Sequence, residues 1–162
     1  MSEPRWLDDR EQRVWRAFVG ATHRFFDQLD RELQRDAGMP HAYFIILVRL
    51  SEAPDRTMRM SDLADQSLSS RSRLSHAVAR LEEAGWVRRE TCPTDRRGTL
   101  AVLTEAGLAA LEAAAPGHVA GVRAHLFDQL SPAQIDQLAE ISTAILRHLT
   151  AWRAESGRPP GG

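Results

Sequence analysis

The sequence predicts a mainly α-helical fold with one small β-hairpin. Apolar residues recur at steps of three, four or seven over long stretches near both ends of the chain, which is the spacing of one helix face. Two short apolar and β-branched runs, 86–92 and 99–103, are separated by a polar segment that ends in Gly98, as expected of two strands and their connection. At 162 residues and 43% hydrophobic content, the chain has the size of one globular domain that needs no metal or disulfide to hold its core.

The first part of the chain contains three predicted helices. A long amphipathic helix extends from Leu7 to Leu33, and Gly38 and Pro40 end it. A second, largely apolar helix is predicted over His41–Glu52. The third is short and spans Ser61–Gln66, with the serine as its N-cap.

The next helix, predicted from Ser70 to Ala84, has one apolar and one polar side. The apolar stripe comprises Leu74, Ala77, Val78 and Leu81. The opposite side carries hydrogen-bonding residues, namely Arg71, Ser72, Arg73, Ser75, His76 and Arg80. Its first turn combines donors, cations and the positive end of the helix dipole, which suits contact with phosphates and with base edges in a major groove.

Two more long helices are predicted after the hairpin. Thr104 caps a helix that extends to about Leu130. Residues 131–134 then form the clearest cap signal in the chain, with Ser at N-cap, Pro at N1 and Gln at N3. They open a last helix that bears apolar residues as far as Trp152, and residues 153–162, rich in Pro and Gly, are predicted to be a disordered tail.

The charge of the chain is unevenly distributed. The formal net charge is -1, but residues 56–97 carry nine arginines against six acidic residues, whereas the remainder carries 12 arginines against 16 acidic residues. Arg96 and Arg97 stand at the hairpin tip, and an arginine on a thin wing can reach a narrow minor groove.

The order helix, short helix, tight link, helix and hairpin is that of a winged helix-turn-helix, so these charges favour binding to double-stranded DNA. A winged-helix domain that contacts protein or RNA is the alternative, because fold does not fix function.

The middle and the following segment carry a more specific pattern. Its pieces are Leu63-Ala64, Ser70 to Leu74, Arg80-Leu81-Glu82, Gly85-Trp86-Val87, Asp95-Arg96-Arg97-Gly98 and Leu103-Thr104-Glu105-Ala106-Gly107. With these motifs, of which the Asp-x-Arg of Asp95 and Arg97 and the Leu-Thr-x-x-Gly after it are the strongest, the chain resembles the MarR family of bacterial transcriptional regulators. The resemblance extends over roughly residues 8–152.

The resemblance implies a role for several residues. The helix from Ser70 would be the recognition helix, Arg97 would enter the minor groove, and Asp95 would orient the wing arginines through an ion pair. A single domain, 8–152, would comprise a winged helix-turn-helix lobe, 41–103, and dimerisation helices, 8–38 and 104–152.

Homodimerisation is a further implication of the resemblance. The helices at the two ends would intertwine with those of a second copy, so that some apolar residues of the last helix would be partly intermolecular, namely Leu138, Ile145, Leu149 and Trp152. Two-fold symmetry then predicts a pseudo-palindromic operator with half-sites about one helical turn, roughly 10 bp, apart. Repression is the regulatory outcome expected from the family.

Two kinds of signal could release the DNA, as the resemblance implies. One is a small aromatic or phenolic effector, for which a pocket could be lined by Trp15, Phe18, His23, Tyr43, Phe44 and Leu47. The same side chains could instead belong to the hydrophobic core, because aromatic residues at helical spacing usually do. The other is oxidation of Cys92, the single cysteine, which falls on or beside a wing strand rather than in the N-terminal helices.

Other function classes lack their motifs. The sequence contains no Gly-x-x-x-x-Gly-Lys, no Gly-x-Ser-x-Gly and no His-Glu-x-x-His, so no enzyme activity is expected. The six histidines form no i, i+4 pair, so neither a metal nor another cofactor is expected. No apolar run approaches the roughly 20 residues of a membrane span, and no targeting signal is visible, so we expect no membrane partner and a cytoplasmic location.

Overall fold

The computed structural model describes residues 4–67, 71–92 and 95–156. The chain divides into two compact units, one up to Gly121 and one from Val122 onward. The first unit holds the sheet and most of the helices, and the second holds the last long helix.

Helix α1 spans Asp9–Ala37 and is capped at both ends. At its start, the Asp8 side chain accepts from the Glu11 amide at 2.7 Å, and the Glu11 carboxylate accepts from the Asp8 amide at 2.9 Å. At its end, Gly38 adopts a left-handed conformation with φ of 60° and donates its amide to the Gln34 carbonyl. The predicted stop at Gly38 is therefore confirmed.

Three helices and a short strand follow: α2 (His41–Glu52), β1 (Thr57–Arg59), α3 (Met60–Gln66) and α4 (Arg71–Glu83). The bounds of α2 agree with the prediction. The predicted N-cap of α3 is wrong, because pairing of β1 in the sheet places Arg59 at the cap and Ser61 inside the first turn. There, the Ser61 hydroxyl lies 3.0 Å from a carboxylate oxygen of Asp62.

The sheet has three antiparallel strands in the order β1-β3-β2, with β2 over Val87–Cys92 and β3 over Asp95–Leu103. The predicted hairpin is present, but the sequence analysis missed β1, which pairs Thr57 with Val102. β3 also begins earlier than predicted, inside the segment assigned to the connection. Pairing of Cys92 with Asp95 extends the ladder there, with an irregular register next to it.

Thr104 joins the start of α5 (Glu105–His125) to the end of the preceding lobe. Its hydroxyl donates to the Gly85 carbonyl at 2.7 Å and accepts from the Gly107 amide at 3.0 Å, so the predicted cap is confirmed. The helix ends at His125, earlier than predicted, and a 3-10 turn over Phe127–Gln129 follows.

Helix α6 spans Pro132–Ser156 and begins with the predicted capping box. The Ser131 amide donates to Gln134 Oε1 at 2.9 Å, and the Gln134 amide donates to Ser131 Oγ at 3.3 Å. The prediction of disorder from residue 153 is wrong for 153–156, because Ala154 and Glu155 favour helix and extend α6 by four residues. The rest of the predicted tail, 157–162, lies outside the described residues.

The hydrophobic core lies among α2, α3, α4 and the sheet. Its fully buried side chains include Leu47, Leu50, Leu63, Val78, Leu81 and Ala101. α1 contributes only Leu29 and Leu33 to the buried set, and no described side chain between 122 and 152 is buried.

Two kinds of structural feature are absent from the described residues. None of the helices there combines the length and the apolar content that crossing a membrane requires. Within the same residues, no group of three or more His, Cys, Asp or Glu side chains is placed to hold a metal ion.

Candidate nucleic-acid interface

Helix α4 is strongly two-sided, as its sequence predicts. One side of the helix packs into the core, where Leu74, Val78 and Leu81 are at most 1% exposed. The described predicted contacts all lie on the exposed side, namely Ser72, Arg73, Ser75, His76 and Arg80. Arg71 is the first residue of α4, but its side chain is outside the described part of the structure, as is the whole of Ser70.

Arg80 forms an ion pair with another residue of α4. Its Nη1 atom lies 2.7 Å from Oε2 of Glu83, and both side chains are about two-thirds exposed, at 67% and 63%. The hydrogen bond to Glu83 raises the pKa of Arg80 further, so this guanidinium stays charged at any physiological pH. A phosphate approaching Arg80 therefore competes with a carboxylate that already holds it.

The wing, which we define as β2, β3 and their connection, carries the other predicted contacts. Asp95, Arg96 and Arg97 are the first three residues of β3, and Asp95 is exposed. The side chains of Arg96 and Arg97 are outside the described residues, so the predicted ion pair between Asp95 and the wing arginines stays a prediction. Asp95 does contact Arg59 at the end of β1, with 3.3 Å between Oδ2 and Nη1.

A second arginine that the sequence analysis missed links the wing to α4. Arg89 Nη2 donates to the Ser75 carbonyl at 2.8 Å, and Nε lies 3.4 Å from Oε2 of Glu82. The only sequence signal for this contact is a pair of opposite charges on either side of the Gly85 turn, and that spacing alone does not show that they meet.

Arg59 and Arg89 both border a cleft of about 460 Å³ beside α4 and the wing. The other lining residues are Met60, Ser61, Leu74, Ser75, Asp95, Gly98 and Thr99. The cleft thus brings Arg59 and Arg89 next to α4 residues Leu74 and Ser75, and each of the two arginines is already paired with an acid.

The residues predicted to line an effector pocket fall into two groups. Trp15, Phe18 and His23 are exposed on α1, whereas Phe44 and Leu47 are buried in the core at 4% and 0% exposure. Tyr43, the sixth residue of the set, is partly buried and packs against that core. The core interpretation therefore describes the α2 members of the set, and the exposed α1 members remain available to a ligand or a partner.

Two histidines next to Phe44 form a cluster that the sequence did not predict. The His118 ring lies 4.3 Å from the Phe44 ring and 5.4 Å from the His41 ring, measured between centroids. Burial lowers the pKa of both histidines, and His41 lowers that of His118 further. Asp30 and Glu32 oppose these shifts at His41 and His118 respectively.

Cys92, the residue of the redox alternative, is buried at 5% exposure at the end of β2. Reactive cysteines are usually accessible and lie in electropositive surroundings. Burial therefore gives the redox alternative no support.

Comparison with known proteins places this arrangement in a family. A family model described as the MarR family matches residues 37–98. Sco3205, a MarR family transcriptional regulator from Streptomyces coelicolor crystallised in complex with DNA, is 53% identical over 92% of this chain and 93% of its own, with a TM-score of 0.87. The chain belongs to the MarR family of transcriptional regulators.

Other matches agree with this assignment. AbsC, a MarR family regulator from the same organism, is 44% identical over 91% of this chain and 99% of its own, with a TM-score of 0.85. BpsR from Bordetella bronchiseptica, whose DNA binding is regulated by 6-hydroxynicotinic acid, shares the fold at 20% identity and a TM-score of 0.72, over 82% of this chain and 98% of its own. No curated protein sequence matches.

The family assignment confirms the resemblance and the winged-helix fold that the sequence predicted. The family and the matched proteins are transcriptional regulators and not enzymes, in agreement with the missing catalytic motifs. For this MarR family member, α4 and the wing therefore correspond to the part of the fold that the sequence analysis assigned to DNA.

Proposed function

We propose that the chain is a sequence-specific DNA-binding repressor that acts as a homodimer. The observation that carries the proposal is the exposed polar face of α4, which stands opposite Leu74, Val78 and Leu81, each exposed by 1% or less. Because its apolar side is packed into the core, α4 can present its polar side to a major groove without a change of position.

The residue types on this face divide into two roles. Arg73 and Arg80 supply positive charge for phosphates or bidentate contacts with guanine, and His76, Ser72 and Ser75 supply shorter hydrogen-bonding groups for base edges. Arg97 reads the minor groove from the wing, as the family resemblance implies. Contacts with phosphates set the affinity, and contacts with base edges set the sequence preference.

Exposed apolar side chains support the homodimer. On and before α1 they are Trp6, Leu7, Val14, Trp15, Phe18 and Phe26, and on α6 they are Ile141, Ile145, Leu146, Leu149 and Trp152. Large apolar surfaces of this kind mark interaction sites in soluble proteins. A second copy of the chain would bury them on both protomers at once, and its two recognition helices would read half-sites about 10 bp apart.

Repression would follow from occupancy of an operator that overlaps a promoter, and an effector would relieve it. We propose a small aromatic or phenolic effector, with Trp15, Phe18, His23, Tyr43, Phe44 and Leu47 as its candidate contacts. The regulation of BpsR by 6-hydroxynicotinic acid is a precedent on the same fold.

The test is fluorescence anisotropy of the purified protein with its own upstream intergenic DNA and with a scrambled duplex of equal length. At near-physiological salt, we expect the native duplex to bind more tightly by about a thousandfold or more. Between about 50 and 200 mM salt, affinity should fall by orders of magnitude as arginines release counterions from phosphates.

Arg97→Ala is the matching variant, and we expect it to bind about 10 to 100 times more weakly if Arg97 reads a base. Equal, weak binding of wild type to both duplexes, followed by failure to enrich any genomic fragment, would contradict the proposal in favour of a protein or RNA partner. Normal operator binding by Arg97→Ala would overturn the wing assignment alone.

A further inference from the structure

One acidic residue of α4 connects the recognition helix to the wing. The Glu82 carboxylate accepts the backbone amide of Arg89 at 2.9 Å through Oε1, and its Oε2 lies 3.4 Å from Arg89 Nε. Both side chains are two-thirds buried, with 32% exposure each. We call this pair of contacts the Glu82–Arg89 bridge.

Arg89 extends the connection along α4. Its Nη2 atom donates to the carbonyl of Ser75, which lies seven residues before Glu82 in the same helix. Seven residues span two turns, or about 10 Å along the helix axis. One side chain of the wing is thus fastened to the recognition helix at two levels, which restrains the angle between them as well as the distance.

The sheet topology makes this restraint necessary. In the order β1-β3-β2, strand β2 lies at an edge, so part of its backbone lacks a neighbouring strand. The amide of Arg89 finds its acceptor in Glu82 instead of in another strand. The edge of the wing is therefore held by α4 itself.

The neighbouring residue, Glu83, gives a natural contrast. Its carboxylate lies 2.7 Å from Nη1 of Arg80 on the same helix, and both side chains are about two-thirds exposed. The contacts described for Glu83 stay within α4 and cannot orient the wing. Two adjacent acids on one helix thus have different structural roles.

We propose that Glu82 is a positioning residue for DNA binding: through Arg89 it sets the orientation of the wing relative to the recognition helix. The inference rests on the proposed function, because it requires α4 and the wing to engage DNA together. Neither the base-reading nor the phosphate-binding contacts include Glu82 itself.

The proposal predicts an effect opposite in sign to simple electrostatics. Removing an acid from a DNA-binding surface reduces repulsion of the phosphates and by itself strengthens binding. If Glu82 positions the wing, its removal must weaken binding despite that gain. Weaker binding by a variant that is less negatively charged therefore points to lost wing placement, provided that the variant is as well folded as wild type.

The experiment compares Glu82→Ala with the matched control Glu83→Ala, each of which removes one negative charge and adds alanine, a strong helix former. We expect Glu82→Ala to bind the operator about tenfold more weakly, since a hydrogen bond to a charged group changes an equilibrium constant by roughly that factor. Glu83→Ala should bind as tightly as wild type or up to about threefold more tightly, because an exposed ion pair contributes little.

Three further readouts separate positioning from general destabilisation. The dependence of affinity on salt should be unchanged in Glu82→Ala, because no phosphate contact is lost. In an Arg97→Ala background, Glu82→Ala should have almost no further effect, since the wing contact that it positions is already absent. Amide exchange in residues 87–92 should accelerate in Glu82→Ala but not in Glu83→Ala.

The outcomes distinguish the inference from the proposed function. If wild type binds the operator specifically and Glu82→Ala binds it as tightly or more tightly, Glu82 is a surface acid and the inference is wrong. If wild type shows no specific DNA binding, the proposed function fails first. Glu82→Gln, which keeps the side-chain volume, replaces the alanine variant if that variant does not fold. Weaker binding is expected of it too, but by a smaller factor, because its amide oxygen can still accept the Arg89 amide.

Discussion

The winged-helix lobe, residues 41–103, and the flanking helices α1 and α6 place their apolar side chains differently. In the lobe, residues such as Leu47, Leu63 and Val78 are completely buried within the chain. On α6, Leu149 and Trp152 are 50% and 60% exposed, although they repeat at the spacing of an apolar face.

In the proposed homodimer, the two regions would depend on different partners for their stability. The lobe buries its hydrophobic side chains in its own core. This close packing can therefore hold α4 rigidly. The flanking helices expose apolar faces, which mark interaction sites in soluble proteins and agree with the proposed homodimer.

A charge on the apolar face of α6 would test this difference most strongly. We expect Leu149→Glu to convert the proposed dimer into monomers, because an unpaired carboxylate is costly in an apolar interface. Operator affinity should then fall by about 10² to 10⁴ fold, since each protomer would engage one half-site alone.

Sedimentation velocity and anisotropy measure the two effects of Leu149→Glu. Thr143→Glu adds the same charge elsewhere on α6 and should leave both the mass and the affinity near those of wild type. If the Leu149→Glu protein remained dimeric, α6 would not be part of the dimer interface.

The corresponding change in the lobe is Leu47→Ala. Because Leu47 is fully buried, we expect the free energy of unfolding to fall by about 2 to 5 kcal/mol. Denaturant unfolding measures this loss, and Arg49→Ala, an exposed change on the same helix, should stay within about 0.5 kcal/mol of wild type. A loss below 1 kcal/mol for Leu47→Ala would mean that the core tolerates a cavity. The stability of the lobe would then not depend on its buried apolar residues.

Helix α5 sharpens the comparison because two of its three glycines, Gly107 and Gly117, lie in opposite environments. A Cβ at Gly107 would overlap the Trp86 carbonyl and lie 2.8 Å from Leu103 Cδ1, so Gly107→Ala should cost about 1 to 3 kcal/mol. A Cβ at Gly117 meets nothing within 4 Å, so Gly117→Ala should stabilise the helix by about 0.5 to 1 kcal/mol. Thermal unfolding of both variants checks the opposite signs, and equal shifts would contradict the close packing at Trp86.

The smallest effect is expected from pH. Burial lowers the folded pKa of His41 and His118 below the usual 6.5, so the unfolded chain takes up protons first as pH falls. Their contribution to stability is therefore complete above about pH 6.5 and is lost as pH falls from there through the folded pKa values.

Denaturant unfolding between pH 8 and 5 measures this dependence. We expect the double variant His41→Gln/His118→Gln to lose much of it, whereas His76→Gln, an exposed change on α4, should keep it. An identical pH profile in the double variant and wild type would exclude the two partly buried imidazoles as its source.

Local sequence signals predicted most helix ends correctly. Gly38 ends α1 because a residue without Cβ adopts φ of 60° at little cost, and Ser131 with Gln134 caps α6 through two reciprocal bonds. These interactions involve residues at most a few positions apart. By contrast, β1 escaped prediction because three residues are too few to show an alternating pattern, and its partner strand lies more than 40 residues away.

The sequence alone determined the amphipathic helices, their caps and the two-sided character of α4, because each follows from the spacing of residues within one segment. It also carried the motifs that identify the family. Only the tertiary structure decided that Arg59 meets Asp95 and that Glu82 and Ser75 hold Arg89, since the partners lie on different elements. Arg59 and Asp95 become neighbours when β1 pairs with β3, and Arg89 meets Glu82 and Ser75 when β2 packs against α4. The same folding left the apolar faces of α1 and α6 exposed, because burial depends on what packs against a helix. The periodicity of the sequence shows only that a helix has an apolar face, and it does not show what covers that face.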